Sequence, residues 1–499
     1  MTYTSTRDKS VRVTSSEAIT RGISADGGLF VPTNIPRLSA DDLLQLSSMD
    51  YKGRAKEILS LYLTDFTPDE ISACVDGAYA PGKFASDKIA PLVTLSDGVD
   101  ILELWKGPTC AFKDMALQLL PYLLAVSASK AAQGRRIVIL VATSGDTGKA
   151  ALEGFKDVPD TQIMVFYPNE GVSPMQKLQM ATQEGANVAV CAINGNFDDA
   201  QNGVKAIFTD KAVAEKLAAR NLMFSSANSI NWGRLVPQIV YYVSAYCDLI
   251  QENKIKNGDK INIVVPTGNF GNILAAYYAG EMGVPLNRLV CASNQNRVLT
   301  DFISTGVYDR RRDFYTTMSP SMDILISSNL ERLLFLLTGQ NDTLVREWMT
   351  SLSKDGVYDA GAALLAKMNV LFAGGFCDEA GTSALIKQVF TEKGYLCDTH
   401  TAVAVDVYNR YRAETGDETY AVIASTASPF KFCASVLGAL DQKAAEGLDE
   451  FGMVRALEKL TGQVCPPQLA DLNTKKVRFT QCCEQDEMEE AVLQSIAEL

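Results

Sequence analysis

The chain has 499 residues and carries 46 Lys and Arg against 59 Asp and Glu, a formal net charge of −13. Hydrophobic residues make up 47% and charged residues 21%, a globular composition that excludes disordered and collagen-like classes and suggests about three domains. An acidic chain with no long basic run argues against nucleic acid or an anionic membrane as partner, because counterion release needs clustered Lys and Arg; small molecules are the expected partners.

Residues 1–90 read as a loop-rich N-terminal segment of helical pattern, with a turn at Asp26-Gly27-Gly28, then Pro32 and Pro36, then amphipathic stretches at Asp41 to Ser47 and Tyr51 to Leu63. After Pro91, short β-branched apolar runs alternate with Ala- and Leu-rich helical stretches. The runs Ile137 to Ala142, Ile163 to Tyr167, Val188 to Ile193, Ile261 to Val265, Leu289 to Ala292 and Tyr420 to Ala424 predict strands covered on both faces. Strand–helix alternation predicts an α/β fold with mainly parallel sheets, more than one in number. From Asn294 to Leu337 the alternation lapses into an Arg- and Ser-rich connection containing Arg310-Arg311-Arg312 and Ser319-Pro320-Ser321-Met322. A segment that long inside a compact enzyme is functional or inserted. Glu484 to Leu499 predicts a terminal amphipathic helix.

The 11 Cys show no C-x-x-C spacing and one adjacent pair, Cys482 and Cys483, the pattern of reduced thiols buried as small hydrophobes. Met1 to Ser16 is polar and lacks a signal-peptide core, and no run of about 18 apolar residues occurs, so a cytoplasmic protein is expected. The one histidine, His400, cannot build a multi-His metal site, and no metal is expected. A triad through it would have no Gly-x-Ser-x-Gly elbow.

Two glycine-rich loops follow predicted strands and open predicted helices: Thr143-Ser144-Gly145-Asp146-Thr147-Gly148, and Thr267-Gly268-Asn269-Phe270-Gly271-Asn272 before Ile273 to Met282. Each is either a plain strand-to-helix turn or an anion site, where glycine admits close backbone approach and the first helical turn offers free N–H groups. Neither has dinucleotide or Walker spacing. The third feature is Gly107-Pro108-Thr109-Cys110-Ala111-Phe112-Lys113-Asp114 before the apolar stretch Met115 to Leu124. Lys113 is either a surface lysine beside a helix start or an amine in a desolvated pocket, able to form a Schiff base.

The run from Gly107 to Gln118 resembles the cofactor-lysine motif of threonine synthases, pyridoxal-phosphate enzymes of the tryptophan-synthase-β-like fold (fold type II). Four further segments are similar to the same family: Ala25 to Pro32, the loop at Ser144, the loop Pro266 to Asn272, and Ser319 to Ile324 with Ser328 to Arg332. The resemblance implies two α/β domains of that fold, 91–235 (smaller, with Lys113 and the Ser144 loop) and 236–499 (larger, with the Gly268 loop), each open to discontinuity, behind the segment 1–90. It implies that Lys113 carries pyridoxal 5′-phosphate with Phe112 packed beside it. Gly268, Asn269, Phe270, Gly271 and Asn272 would wrap the cofactor phosphate, and the Thr426 hydroxyl would face the pyridine nitrogen. Thr143, Ser144, Gly145, Asp146 and Thr147 would hold the substrate carboxylate, with Asp146 also reaching the ring hydroxyl.

For the substrate phosphate the candidates are Arg332 with Ser328 and Asn329, against a surface Arg at a helix start. Arg310 to Arg312 are either a second candidate or a solvated run. Ser428 stands where many relatives carry histidine, so any role of that residue is absent. His400, in Asp398 to Val403, also matches a family segment and reads as mainly structural. The implied activity is conversion of O-phospho-L-homoserine and water to L-threonine and phosphate by a monomer or homodimer. The alternatives are a phospho-lyase or dehydratase releasing a 2-oxo acid, and a non-catalytic nucleotide-binding regulator that would leave the Lys113 segment without a purpose.

Overall fold

The computed structural model describes residues 1–497 except Gln133, Ser144 and Gly171, and only the backbone of Phe197, Asp198 and Ala497. In the N-terminal segment β1 (Tyr3–Ser5) and β2 (Phe30–Pro32) pair antiparallel, with helix Ser15–Arg21 between them. Thr14 and Glu17 close that helix start reciprocally, each side chain bonding to the other's backbone N–H. Helices Ala40–Ser47 and Tyr51–Tyr62 lie where the amphipathic stretches predict them, followed by Pro68–Ala78.

The next strands are β3 (Leu92–Ser96), β4 (Val99–Glu103), β5 (Arg136–Ala142), β6 (Thr161–Pro168), β7 (Val188–Ile193) and β8 (Leu222–Ser225). Then follow β9 (Ile261–Pro266), β10 (Leu286–Ser293), β11 (Val307–Asp309), β12 (Val357–Asp359), β13 (Phe372–Phe376), β14 (Ala421–Ser425) and β15 (Cys482–Cys483). They build a six-stranded sheet of order β13-β10-β9-β14-β4-β3 and a five-stranded sheet of order β15-β7-β6-β5-β8, with β1-β2 and β11-β12 as separate pairs. The five-stranded sheet is parallel throughout; the six-stranded one is parallel except for its edge pair β3–β4. All eight residues of β6 and all six of β9 are buried, as near-continuous apolar runs require when helices cover both faces.

The sheets interleave along the chain. β3 and β4 join β9, β10, β13 and β14, while β15 returns from the far end to pair with β7. The apolar-run criterion does not detect β3, whose residues are half-exposed, nor β4, which carries the buried acids Asp100 and Glu103. Two glycines interrupt β13; an added Cβ at Gly375 would stand 2.6 Å from Val407 Cγ1, so the covering helix demands the small residue. The stretch Asn294 to Leu337, expected to be irregular, contains helices Val298–Thr305 and Leu330–Leu337 and strand β11. The terminal helix spans Met488–Ala497. No helix among the described residues is long and apolar enough to cross a membrane.

Helix Trp232–Gln251 is buried from Trp232 to Leu249 and ties the N-terminal segment to the sheets. Buried Arg54, on helix Tyr51–Tyr62, pairs with Asp248 on it and also donates to the carbonyls of Leu46 and Ser47. Arg7 forms a bidentate pair with Glu331.

Helix Asp146–Phe155 crosses helix Asp114–Leu117 with Gly154 at the contact, where an added Cβ would lie 1.9 Å from the Leu117 carbonyl oxygen. Gly154→Ala should therefore destabilise the fold by about 1–3 kcal/mol or more in chemical denaturation. Gly438, inside helix Cys433–Leu440 with nothing within 4 Å of its position for a Cβ, is the control. Gly438→Ala should be neutral or stabilising by up to about 1 kcal/mol, and equal losses at both positions would refute the packing argument.

Candidate active site

Lys113 sits at the entry to helix Asp114–Leu117, held there by the turn before it. The Asp114 carboxylate accepts from the Thr109 N–H at 2.8 Å and hydroxyl at 2.7 Å. Burial pushes that carboxyl up to about 6 against those bonds. Gly107 makes room for it, since a Cβ there would stand 2.5 Å from Asp114 Cβ. The same segment lies against the end of β14: the Phe112 N–H donates to the Thr426 carbonyl at 2.8 Å, and the Ser428 N–H to the Cys110 carbonyl at 3.0 Å.

The lysine amine points into a polar cluster. Its Nζ lies 3.4 Å from Ser321 Oγ, 4.0 Å from Asp146 Oδ2 and 5.0 Å from the centre of the Phe112 ring. Burial brings the ammonium down to about 8; Asp146 opposes the shift, while Lys431 and Arg234 reinforce it. Asp146 opens helix Asp146–Phe155 and accepts from Lys431 Nζ at 2.8 Å and Gln176 Nε2 at 3.0 Å. Burial alone would raise its carboxyl, yet Lys431 and Lys113 hold it well below the usual carboxylate range.

Lys431 is fully buried, and its Nζ also donates to the Thr109 carbonyl at 2.9 Å. Sequence reasoning missed it, although one cation inside the apolar run Pro429 to Phe432, just after a strand, was a usable signal. Arg234 was missed as well. It lies buried one turn into helix Trp232–Gln251, donates through Nη1 to the Ala227 carbonyl at 2.9 Å, and has a buried Nε without a hydrogen-bond partner. Burial pushes its guanidinium down to about 10.

The two glycine loops lie at the C-terminal ends of β5 and β9. In the first, Thr143 Oγ1 accepts from the N–H groups of Gly145 at 3.0 Å and Gly148 at 3.1 Å; half-buried Thr147 stands in the first helical turn, and Ser144 lies outside the described residues. In the second, a Cβ at Gly268 would stand 2.6 Å from the Ser321 carbonyl oxygen, and Ser327 Oγ donates to the Gly268 carbonyl at 2.7 Å. Phe270 takes a left-handed conformation, φ 65°, just before helix Gly271–Met282, with its ring stacked on Phe372. Asn272 Oδ1 accepts from the hydroxyls of Tyr241 and Tyr242, while its Nδ2 is buried without a partner. Asn269 is exposed, and its carbonyl accepts from the Asn329 N–H at 3.0 Å and Nδ2 at 3.1 Å.

The remaining candidates divide. Thr426 is buried at the end of β14, and Ser328 is half-buried. Arg332 is wholly buried: Nε donates to the Phe30 carbonyl at 3.0 Å, Nη2 to the Ile230 carbonyl at 2.6 Å, and Nη1 to Asn329 Oδ1. Its guanidinium is thus no surface group; its bonds join β2, the turn before Trp232 and the start of helix Leu330–Leu337. In the Arg310 to Arg312 run, Arg311 pairs with Asp309 and Arg312 with Asp301. Among the described residues no group of His, Cys, Asp and Glu is arranged to hold a metal ion.

Two family models match the chain, "Threonine synthase N terminus" over residues 2–79 and "Threonine synthase, C-terminal" over residues 401–492. Threonine synthase of Saccharomyces cerevisiae is 35% identical over 100% of this chain and 98% of its own. The chain belongs to the threonine synthase family. A crystal structure of PLP-bound threonine synthase from Brucella melitensis superposes with a TM-score of 0.88 at 35% identity, covering 99% of both chains, so the fold is that of the threonine synthases. Human threonine synthase-like 1 is 39% identical over 93% of this chain, which spans about 65% of that relative's length.

The depressed Lys113 has a thermodynamic signature. An amine that loses its proton near pH 8 in the folded chain and near about 10.4 when unfolded costs stability in full below pH 8, and that cost fades as pH rises between the two values. The unliganded Lys113→Met chain should be more stable than the parent at pH 6–7 by up to about 3 kcal/mol. The advantage should close between pH 8 and 10.5 in urea titrations, a range in which Asp146 stays ionised throughout. A pH-independent difference would refute the burial argument.

Proposed function

We propose that this chain converts O-phospho-L-homoserine and water to L-threonine and phosphate with pyridoxal 5′-phosphate as cofactor. The carrying observation is the half-buried Lys113 amine, depressed to about 8 and set beside a strand–loop–helix cradle. The residues present fit the cofactor. Gly268 is closed to any side chain, the Gly271–Met282 helix start directs free N–H groups outward, and Asn272 keeps a buried Nδ2 donor unspent. In this reading Lys113 and Phe112 would hold the ring end, Gly268 to Asn272 the phosphate, and the Thr426 hydroxyl would serve the ring nitrogen without enforcing its protonation. When bound, the cofactor supplies an electron sink for carbanion chemistry at the substrate.

The chain's own work is proton control and anion binding. An amine whose pKa lies near 8 is partly neutral at physiological pH, the state in which Lys113 would take the Cα proton and return it. The loop Thr143 to Thr147 receives the substrate carboxylate, with the Thr147 N–H in the first helical turn as donor, since the Gly145 N–H is already bonded to Thr143 Oγ1. Asp146, already bonded to Lys431, steadies the Lys113 ammonium instead of facing that carboxylate. For the phosphate leaving group, Arg234 is the better cation, because its Nε donor is free. Arg332 and Asn329 then brace the site, with Ser328 beside them. The proposed setting is cytoplasmic, as a monomer or homodimer.

Borohydride reduction of the cofactor-loaded protein followed by peptide mapping should find the pyridoxyl group on Lys113, and Lys113→Ala should abolish turnover. Incubation with O-phospho-L-homoserine should release threonine and phosphate in equal amounts; phosphate accompanied by 2-oxobutyrate would transfer the chain to the phospho-lyase reading. Arg234→Met should raise KM by about tenfold or more, the loss expected for a charge-assisted phosphate contact, and lower Tm only by the loss of its one bond to the Ala227 carbonyl. Arg332→Met should chiefly lower Tm.

A further inference from the structure

The single histidine has no part in that account, yet its ring is wired toward the reactive amine. His400 is buried in the first turn of helix Thr399–Thr415, with its ring 4.9 Å from that of Phe432 in an edge-on contact. The Ser321 N–H donates to His400 Nε2 at 3.1 Å. A ring nitrogen that accepts a backbone N–H carries no proton, so the imidazole is neutral with its hydrogen on Nδ1. That hydrogen points at Asp398 Oδ1, 2.8 Å away. Asp398 is itself fixed as the helix cap, accepting from the His400 N–H at 2.8 Å and from the Thr401 hydroxyl. Ser321 is therefore held from behind by a rigid pair, while its Oγ receives the Lys113 amine at 3.4 Å and its carbonyl closes over Gly268.

We propose that His400 is a positioning residue that orients the Lys113 amine through Ser321. The inference rests on Lys113 being the reactive amine of the proposed function. Ser319 to Met322 form a short helical turn whose start is tied to the end of β10, where Asn294 Nδ2 donates to Ser319 Oγ at 3.0 Å, while its Ser321 side is reached by no strand among the described residues. The Nε2 acceptor gives this turn a fixed point on the helix that follows Asp398. Ser321 thus joins three parts of the site: the amine, the glycine loop and the buried imidazole. Loss of the Nε2 acceptor releases Ser321, and Lys113 loses an oxygen that supports its charged form.

One histidine in 499 residues makes the ring directly observable. In the full chain labelled with 15N-histidine, NMR should report a neutral ring protonated at Nδ1; a ring protonated at Nε2 would overturn the proposal without any variant. Glutamine can place an acceptor where Nε2 stands, whereas asparagine reaches only the Nδ1 position. His400→Gln should therefore keep turnover near that of the parent, and His400→Asn should lower kcat by about tenfold with KM little changed.

In the cofactor-free full chain, Lys113 acylation by acetic anhydride at pH 7, read by peptide mass spectrometry, should rise about threefold in both His400→Asn and Ser321→Ala, because the ammonium loses an acceptor in each. The double variant should show no further rise. Equal behaviour of the Gln and Asn variants, or effects that multiply in the double variant, would overturn the proposal. If His400→Asn fails to fold, the ring spectrum together with Ser321→Ala still decides. Failure of the parent to turn over O-phospho-L-homoserine would remove the proposed function and leave the ring spectrum and acylation cycle to decide this inference.

Discussion

A carboxylate held between two amines is the constraint on which the site depends. Asp146 accepts from Lys431 at 2.8 Å and faces Lys113 at 4.0 Å, with Asp146 and Lys431 enclosed and Lys113 partly open to solvent. Removing charges from water is expensive, and the ionised Asp146 is tolerable because Lys431 and Lys113 face it, while the Lys113 ammonium is left undercompensated. The arrangement is asymmetric: Lys431 has the close carboxylate contact and a backbone carbonyl, while Lys113 has only a longer approach and a hydroxyl. The first amine is spent on structure. The second keeps a labile proton, which is what chemistry at that nitrogen requires.

This triad also dictates the packing around it. Asp146 and Lys113 begin two short helices that cross at Gly154, so the carboxylate and the amine cannot separate without moving backbone. Lys431 comes from the turn after β14, whose preceding residues bond to the Lys113 segment through Phe112 and Cys110. Farther out, Arg332 holds β2 against the turn before Trp232, and Arg54 holds helix Tyr51–Tyr62 against helix Trp232–Gln251. The N-terminal segment is thus fastened by buried guanidinium groups, each reaching backbone carbonyls that an apolar side chain would leave unsatisfied.

What could be read in advance was local. The six apolar runs became strands because burial on both faces selects apolar, often β-branched, residues along their length, and the glycine loops announced themselves by composition beside those strands. Lys113 was legible through its flanking Phe112 and Asp114. Arg234 was not, and Lys431 and Ser321 showed only a local signal, since the significance of all three lies in neighbours brought from elsewhere in the chain: Asp146, the amine, and the imidazole of His400. Arg332 illustrates the converse. A cation after Ser328-Asn329 suggested an anion ligand, but its donors are turned to the carbonyls of Phe30 and Ile230, hundreds of residues away in one case. Periodicity likewise failed where a buried carboxylate such as Asp100, paired with Lys254, sits inside a strand.

The strand order carries a consequence for biosynthesis. β14 lies between β9 and β4, so the early and middle parts of the six-stranded sheet have no bond to one another until it arrives. The Lys113 segment docks on the residues just after that strand, and Lys431 follows within the same turn. A nascent chain emerging from the ribosome therefore carries both glycine loops and Lys113 before the strand that joins the two parts of that sheet, and before Lys431, has been made. A fragment ending before β14 holds Lys113, Asp146 and both glycine loops but lacks Lys431 and the strand that joins the two parts of the sheet.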